Sequence, residues 1–146
     1  MKELVDLEKN IKDIKRRLKK HGGLIITNRQ VGKSFALLEL LHENKKSYLL
    51  AFNRRSMKSL IRIYRKNFDD DGWKRIRDDR NKVDMENTYI DEYFFHKIYY
   101  TKFLGAVSTM RFPVIIKKYK IDAVINKHAH DLTKLQYNCE HTLKFK

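Results

Sequence analysis

Apolar residues recur along this chain with two different periods, and each change of period marks a predicted element. Over residues 1–21, leucines and isoleucines from Leu4 to Leu18 are spaced three and four apart, with lysines and arginines between them. That spacing predicts an amphipathic helix, which Gly22 and Gly23 end. We expect its apolar stripe to pack on a sheet, and a helical pairing segment or a DNA-facing helix is the alternative.

Short apolar runs then alternate with helical patterns. The runs that predict buried strands cover 24–27, 47–52, 88–91 and 105–109, with 121–125 as a fifth. Helical spacing covers 32–43, 57–68 and 93–103, whereas the charged stretch 69–86 fits neither period. This alternation predicts an α/β fold with a mostly parallel sheet of about four to five strands flanked by helices. We expect one domain over 23–146, preceded by the helix over 1–22.

A phosphate-binding loop follows the first predicted strand, where residues 27–34 read Thr-Asn-Arg-Gln-Val-Gly-Lys-Ser. Backbone amides at a helix N-terminus can converge on phosphate oxygens. Gly32 allows the backbone close to phosphate, Lys33 can reach the β- and γ-phosphates, and the Ser34 hydroxyl can bind Mg²⁺. Thr27 stands where the usual motif has its first glycine. The predicted nucleotide-binding residues are Asn28, Arg29, Gln30, Val31, Gly32, Lys33 and Ser34.

An acid pair, Asp91-Glu92, ends the third apolar run. Parallel sheets bind ligands at the carboxyl ends of their strands, so this pair and the phosphate loop should meet at one edge. We expect Asp91 and Ser34 to hold Mg²⁺, and Glu92 to orient or deprotonate an attacking water. The predicted cofactors are therefore ATP and Mg²⁺, and a solvated strand end is the alternative for the acids.

Charge narrows the expected partners. The chain has 33 Lys and Arg against 18 Asp and Glu, a formal net charge of +15, and the basic residues recur along its whole length. Such a field attracts polyanions, of which nucleic acid is the first candidate; a solvated surface is the alternative. The side chains expected to contact the backbone of double-stranded DNA, without sequence preference, are Arg54, Arg55, Lys58, Arg62, Arg65, Lys74, Arg75 and Arg77.

Cysteine content and hydropathy exclude other classes. The single cysteine, Cys139, allows no intramolecular disulfide, which fits a reducing compartment. No apolar run approaches the roughly 20 residues of a membrane span, and the charged start lacks the apolar core of a signal peptide. We therefore expect a cytoplasmic protein with no membrane partner.

Two weaker patterns have a functional and an ordinary interpretation. His128, His130, Cys139 and His141 have side chains that suit zinc, but their spacing matches no common structural zinc motif, and an ordinary polar tail is favoured. The aromatic stretch from Tyr93 to Phe103 is interleaved with Lys97 and Lys102. Base stacking is conceivable there, and packing in the core is the simpler interpretation.

The motifs, taken in order, resemble a known family. Arg29-Gln30-Val31-Gly32-Lys33-Ser34 is similar to the R-Q-x-G-K-[ST] phosphate loop of the large terminase subunit of tailed phages, a variant that often lacks the first glycine. Tyr48–Met57 resembles that family's next strand and turn, Tyr89–Phe95 its Walker B segment, and Val107–Pro113 its coupling motif. The resemblance covers roughly residues 23–113, judged on motif order.

The resemblance implies an ASCE-type P-loop ATPase that couples hydrolysis to DNA movement. It implies that Arg29 acts in cis as an arginine that senses the γ-phosphate, and that Thr109 couples nucleotide state to DNA grip. The distances between motifs are compressed, and Asp122, Asp131 and Glu140 are too scattered for the family's nuclease site. We therefore expect a minimal relative without a nuclease domain.

Three functions are compatible with these patterns. The first is an Mg²⁺-dependent ATPase that acts on DNA and that can depend on DNA or on homo-oligomerisation for activity. The second is a DNA-binding or regulatory protein that keeps the P-loop fold with little or no hydrolysis. The third, a small nucleotide kinase, fits the length, but the R-Q-x-G-K-S form of the loop and the lack of an evident arginine-rich lid beyond 74–80 argue against it.

Overall fold

A computed structural model describes residues 7–27, 32–96, 98–110 and 112–125. Its helices are α1 (Leu7–His21), α2 (Lys33–Glu43), α3 (Arg54–Asn67) and α4 (Pro113–Lys118). Its strands are β1 (Leu24–Ile26), β2 (Tyr48–Leu50), β3 (Ile76–Arg77), β4 (Thr88–Ile90), β5 (Gly105–Ser108) and β6 (Ala123–Ile125). Short 3₁₀ turns lie at Gly72–Arg75, Arg80–Lys82, Met85–Asn87 and Tyr93–Phe95.

The strands form one parallel sheet flanked by helices, which confirms the predicted α/β class. The order is β3-β2-β4-β5-β1-β6, and all described neighbours are parallel. The sheet has six strands, so the expectation of about four to five was too low. The additional strand, β3, is only Ile76 and Arg77 long and lies inside the charged stretch. Two residues are too few to show the strand period.

The four strands β1, β2, β4 and β5 bury both of their faces, which explains the continuous apolar runs. Because side chains alternate along a strand, Ile25 and Val107 point to one face while Leu24, Ile26 and Ala106 point to the other. On the first face, Ile25 and Val107 share a core with Ile14 of α1 and Leu37 of α2. The helix predicted at the N-terminus is therefore present over Leu7–His21, with Ile14 and Leu18 buried.

The second face has a thinner cover, and here one predicted helix is absent. Helical spacing predicted a helix over 93–103, but the structure has only a 3₁₀ turn at Tyr93–Phe95 followed by irregular backbone in its described part. The backbone of Glu92 has a left-handed conformation (φ 47°). The Tyr93 hydroxyl donates a hydrogen bond to the carbonyl of Tyr100, and this contact folds the segment back. Tyr93 and Phe94 both enter the second core, so the aromatic spacing reflects a compact loop.

Asn53 and Pro113 mark the starts of two helices. The side chain of Asn53 accepts a hydrogen bond from the Ser56 amide (2.7 Å), so it caps the N-terminus of α3. α4 was not predicted; it begins at Pro113, whose ring restricts φ to a value that suits the first helical position. None of the described helices is long and apolar enough to cross a bilayer.

Asp70 ties the end of α2 to the end of α3. Its carboxylate accepts hydrogen bonds from the Tyr64 hydroxyl, the Gly72 amide (2.9 Å) and the Lys45 ammonium (2.8 Å), and it lies 2.8 Å from His42 Nδ1. Lys45 and then Tyr64 hold the pKa of Asp70 well below its ordinary value. The contact therefore stabilises the fold as long as Asp70 is ionised.

We expect Asp70→Ala to destabilise the protein by about 1–3 kcal/mol, because the buried Tyr64 hydroxyl loses its acceptor. Because the pKa of Asp70 is lowered in the folded state, its contribution to stability is complete when the pH is above the unfolded pKa of about 3.9. That contribution is lost as the pH falls through the folded-state pKa. The difference from wild type should therefore shrink as the pH falls from about 5 toward about 2 in urea unfolding. The exposed neighbour Asp69→Ala is the control, and a difference that does not change with pH would contradict the role of charge.

Candidate functional site

Three adjacent strands, β1, β5 and β4, end at the same edge of the sheet. Lys33 begins α2 shortly after β1, Asp91 and Glu92 follow β4, and Thr109 follows β5. The ladder extends beyond the strands, since Thr27 N donates to the Ser108 carbonyl (3.0 Å) and Asp91 N to the Leu50 carbonyl (3.1 Å). The backbone therefore holds these strand ends in a fixed relation at the carboxyl edge, where ligands of parallel α/β sheets bind.

The described part of the phosphate loop consists of its two ends. Asn28, Arg29, Gln30 and Val31 lie outside the described residues. Gly32 has φ 87°, and a Cβ there would lie 2.5 Å from Ile11 Cγ1. The sequence suggested that Gly32 makes room for phosphate; the structure shows that a left-handed backbone and contact with α1 also require glycine.

Lys33 and Ser34 face the acids across the carboxyl edge. Ser34 Oγ donates to Asp91 Oδ1 at 3.0 Å, and Lys33 Nζ lies 3.7 Å from Glu92 Oε2. Lys33 and Asp91 are both buried, with 6% and 3% of their surfaces exposed. The structure thus brings together four of the residues that were predicted from separate motifs.

Thr109 holds the carboxylate of Glu92. The Thr109 amide donates to Glu92 Oε1 (2.9 Å), and its hydroxyl donates to Oε2 (2.8 Å). Glu92 itself has a left-handed backbone, a conformation that costs a non-glycine residue about 1–2 kcal/mol. Strain of this kind concentrates at functional sites. The predicted coupling residue is therefore in direct contact with the predicted base.

Burial raises the pKa of Asp91 to about 6, and repulsion by Glu92 adds to the effect. The hydrogen bond from Ser34 and the charge of Lys33 oppose this rise without cancelling it. Near neutral pH the site therefore holds a poorly solvated carboxylate beside a second acid. A cation bound there would relieve the repulsion, which is the electrostatic property expected of a metal-binding position.

Sequence reasoning missed His96. Its Nε2 donates to the backbone carbonyl of Asp91 (2.9 Å), and its ring contacts Phe52 and Tyr100 edge-on. Burial lowers the pKa of His96, although the Asp91 carbonyl and Glu92 oppose that effect. Its place in an irregular segment left no periodic signal by which the sequence could reveal this contact.

The hydroxyl of Thr27 is a second feature that the sequence did not show. Thr27 Oγ1 is buried at the start of the phosphate loop and has no hydrogen-bond partner among the described residues. A buried polar atom without a partner is costly. A bound phosphate or water oxygen would satisfy it, so Thr27 is more than a substitute for the missing first glycine.

The basic side chains predicted to contact DNA fall into two groups. Those on α3 are exposed: Arg54, Arg55, Lys58, Arg62 and Arg65. Arg65 and the exposed Lys74 lie over the ring of Trp73, at 4.8 and 5.8 Å from its centroid. These side chains form a basic surface at one side of the sheet.

Arg75 and Arg77 are only partly exposed, unlike the side chains of that surface. Arg75 Nη1 donates to the carbonyls of Leu41, Asn44 and Ser47, at 2.8–3.1 Å, so its guanidinium satisfies the end of α2. Arg77 lies in β3 and has a buried Nε. We therefore correct the expectation for Arg75, whose side chain serves the fold, whereas a contact between Arg77 and DNA stays a prediction.

The described residues contain no group of three or more His, Cys, Asp or Glu side chains that could hold a metal. The weak zinc pattern of His128, His130, Cys139 and His141 lies outside those residues. A magnesium position built from Ser34 and Asp91 needs no such group, since Mg²⁺ is commonly held by one or two carboxylates together with phosphate oxygens and waters.

We expect Asp91→Asn to stabilise the ligand-free protein at about pH 7.5 by about 1–3 kcal/mol, because it removes a desolvated charge and keeps an acceptor for Ser34. Because the pKa of Asp91 is raised in the folded state, wild-type Asp91 contributes its full stability only below the unfolded pKa of about 3.9. That stability is lost as the pH rises through about 6. The gain should therefore vanish near about pH 4 in urea unfolding without Mg²⁺. Asp78→Asn, at an exposed position, is the control. An Asp91→Asn protein that is less stable than wild type at about pH 7.5 and also at about pH 4 would contradict this account.

No protein-family model matches the chain, and neither the curated proteins nor the solved structures contain a protein with significant similarity to it. The resemblance to terminases therefore depends on the motifs quoted above.

Proposed function

We propose that this chain binds ATP with Mg²⁺ at the carboxyl edge of its sheet, hydrolyses it, and acts on DNA, as in the ATPase domain of the terminases that its motifs resemble. One observation carries the proposal. A lysine and a serine at the start of α2 meet two acids that follow β4, with Ser34 Oγ 3.0 Å from Asp91 Oδ1 and Lys33 Nζ 3.7 Å from Glu92 Oε2. P-loop NTPases need this convergence, and no single stretch of sequence can supply it.

The residues present fit ATP and Mg²⁺. Ser34 and Asp91 would hold the ion, and their hydroxyl–carboxylate pair is the donor set that such sites use. When bound, Mg²⁺ neutralises charge on the β- and γ-phosphate oxygens. The ammonium of Lys33 would lie against the same oxygens, and the unpaired Thr27 hydroxyl offers them a donor. By the resemblance, Arg29 would add a cis-acting positive charge.

Glu92 would orient or deprotonate the attacking water, and Thr109 would control when it can do so. In this structure, Thr109 binds both carboxylate oxygens of Glu92, and Lys33 lies near one of them. Triphosphate would attract Lys33 away from Glu92, and release of the carboxylate from Thr109 would free it for water. The coupling role implied for Thr109 thus has a physical route, the exchange of two hydrogen bonds.

That same observation favours a second candidate function. A carboxylate that accepts from both donors of Thr109 is oriented by them and has fewer acceptor sites left for water, so the chain would turn over slowly unless DNA or a neighbouring copy releases it. A DNA-binding or regulatory protein that keeps the P-loop fold is therefore the alternative. DNA-stimulated phosphate release distinguishes the two functions.

The exposed arginines and lysines of α3 support action on DNA. α3 begins at Arg54, close behind β2, and β2 is the neighbour of the strand that ends in Asp91. Phosphate contacts from such a surface position a duplex without reading its sequence. Duplex DNA bound at the start of α3 would therefore lie near the carboxyl edge of the sheet, where the nucleotide is proposed to bind.

We expect Lys33→Ala to weaken ATP–Mg²⁺ binding by about tenfold or more, because it removes the charge that faces the β- and γ-phosphates. Isothermal titration calorimetry measures the change. Lys46→Ala is the matched control, since Lys46 is an exposed lysine in the turn before β2, at the opposite edge of the sheet. Equal affinities for wild type and Lys33→Ala would show that the nucleotide, if it binds, binds elsewhere.

We expect Glu92→Gln to retain ATP affinity within about threefold and to lower phosphate release by about 10²–10⁴-fold, because an amide cannot accept the proton of water. Release is measured with and without duplex DNA. Thr109→Val, which removes one donor to Glu92, should raise basal release and reduce its stimulation by DNA. Wild type that binds ATP but releases no phosphate, with or without DNA, would establish the non-hydrolysing alternative.

A further inference from the structure

The second face of the sheet leaves large apolar side chains accessible just beyond β5. Phe112 and Tyr119 are 39% and 38% exposed, and Val114 is 76% exposed. Phe112 precedes α4 and Tyr119 follows it. These residues border the short helix and the aromatic loop that cover this face, on a surface that the proposed nucleotide site does not use.

The two exposed rings rest on one inner pair of rings. Phe112 packs edge to face on Phe94, with ring centroids 5.2 Å apart. The ring centroids of Tyr119 and Tyr99 are 5.7 Å apart. Phe94 and Tyr99 are themselves in contact, at 6.2 Å. We call these four residues the aromatic platform. Rings held by other rings lose little conformational freedom when a ligand stacks on them, which favours binding.

The chain segment that carries the platform has side-chain charges of one sign, although Glu92 and Asp122 flank it. Residues 93–121 contain six lysines and arginines and no Asp or Glu. Of these six, Lys102, Lys117, Lys118 and Lys120 are described and exposed. Lys118 Nζ lies 5.5 Å from the centroid of the Tyr119 ring. An anionic partner that also presents flat apolar faces would match both features.

Unpaired nucleotides have this combination, and the other occupants fit less well. Protein interfaces are depleted in lysine, so a contact between two copies of the chain is disfavoured. The bases of a duplex are already stacked and do not offer their faces. From the platform and its lysines we infer that this surface binds single-stranded nucleic acid, with bases stacked on Phe112 and Tyr119 and phosphates beside the lysines.

The position of the platform gives it a second consequence, which rests on the proposed ATPase function. Phe112 lies three residues after Thr109, the residue that holds the carboxylate of Glu92. A strand stacked on Phe112 would act on the backbone that carries Thr109. Binding of a single strand therefore has a short covalent path to the residue proposed to control hydrolysis.

Fluorescence anisotropy without nucleotide tests the binding alone, so that failure of the ATPase proposal leaves this test intact. The probes are labelled oligothymidylate and oligouridylate of about 15 nucleotides, and a duplex of the same length. Phe112→Leu and Tyr119→Leu keep an apolar side chain and remove the ring. Each should weaken binding of the single strands by about tenfold or more, since stacking of one base contributes that much.

The control is Val114→Ala, which trims the most exposed apolar side chain near the platform but removes no ring. It should change single-strand affinity by less than about twofold, because Val114 offers no stacking face. Phe112→Trp, made in a Trp73→Phe background so that it is the only tryptophan, keeps a ring at this position whose fluorescence a stacked base quenches. The two sugar chemistries of the probes show whether DNA or RNA is preferred.

Three results would overturn the proposal. The first is wild-type affinity in Phe112→Leu. The second is a Phe112→Trp protein that binds single strands without quenching. The third is loss of self-association, seen by sedimentation, in both Phe112→Leu and Val114→Ala with no change in oligonucleotide affinity, which would assign the surface to a second copy of the chain. The proposal would be supported if Phe112→Leu and Tyr119→Leu bind single strands more weakly while their affinity for the duplex is unchanged. Val114→Ala should then keep the wild-type affinity for single strands.

Discussion

The hydrogen bond between Ser34 and Asp91 joins two parts of the chain on which every other element of the site depends. It forms because β1, β5 and β4 are neighbours in a parallel sheet, so that residues 57 positions apart in sequence meet at one edge. The contact is costly, since Asp91 is buried beside Glu92 and its pKa rises to about 6. A destabilised carboxylate beside a lysine and a serine is what the proposed binding of a cation together with an anion would require.

The two faces of the sheet are covered by different elements. Three helices cover the first face, and the exposed side of α3 carries basic residues. The second face is covered by the aromatic loop after Glu92 and by α4, with rings that reach solvent. Both covers begin at the edge where the site lies. Events at the proposed nucleotide therefore have short routes to two surfaces, through β2 and α3 on one face and through Thr109 and Phe112 on the other.

The elements that sequence patterns predicted well are those with a repeated local signal. The stripe of α1 and the apolar runs of β1 and β4 each depend on residues close in sequence. Ile76–Arg77 is too short to show a period, and the aromatic spacing after Glu92 resembles a helix only because a folded loop buries consecutive rings. The roles of Arg75 and His96 depend on carbonyls of other segments, so composition alone placed Arg75 on a DNA surface and did not reveal His96.

A crystal structure of the chain grown with Mn²⁺ and a non-hydrolysable ATP analogue tests the central claim most directly, because Mn²⁺ can be located by its anomalous scattering. We expect the ion to lie about 2.1 Å from Ser34 Oγ, with Asp91 binding it directly or through a water. The ammonium of Lys33 should be about 2.8 Å from a β- or γ-phosphate oxygen and should no longer lie beside Glu92. An analogue bound away from the ends of β1 and β4, or an ion that contacts neither Ser34 nor Asp91, would contradict the account.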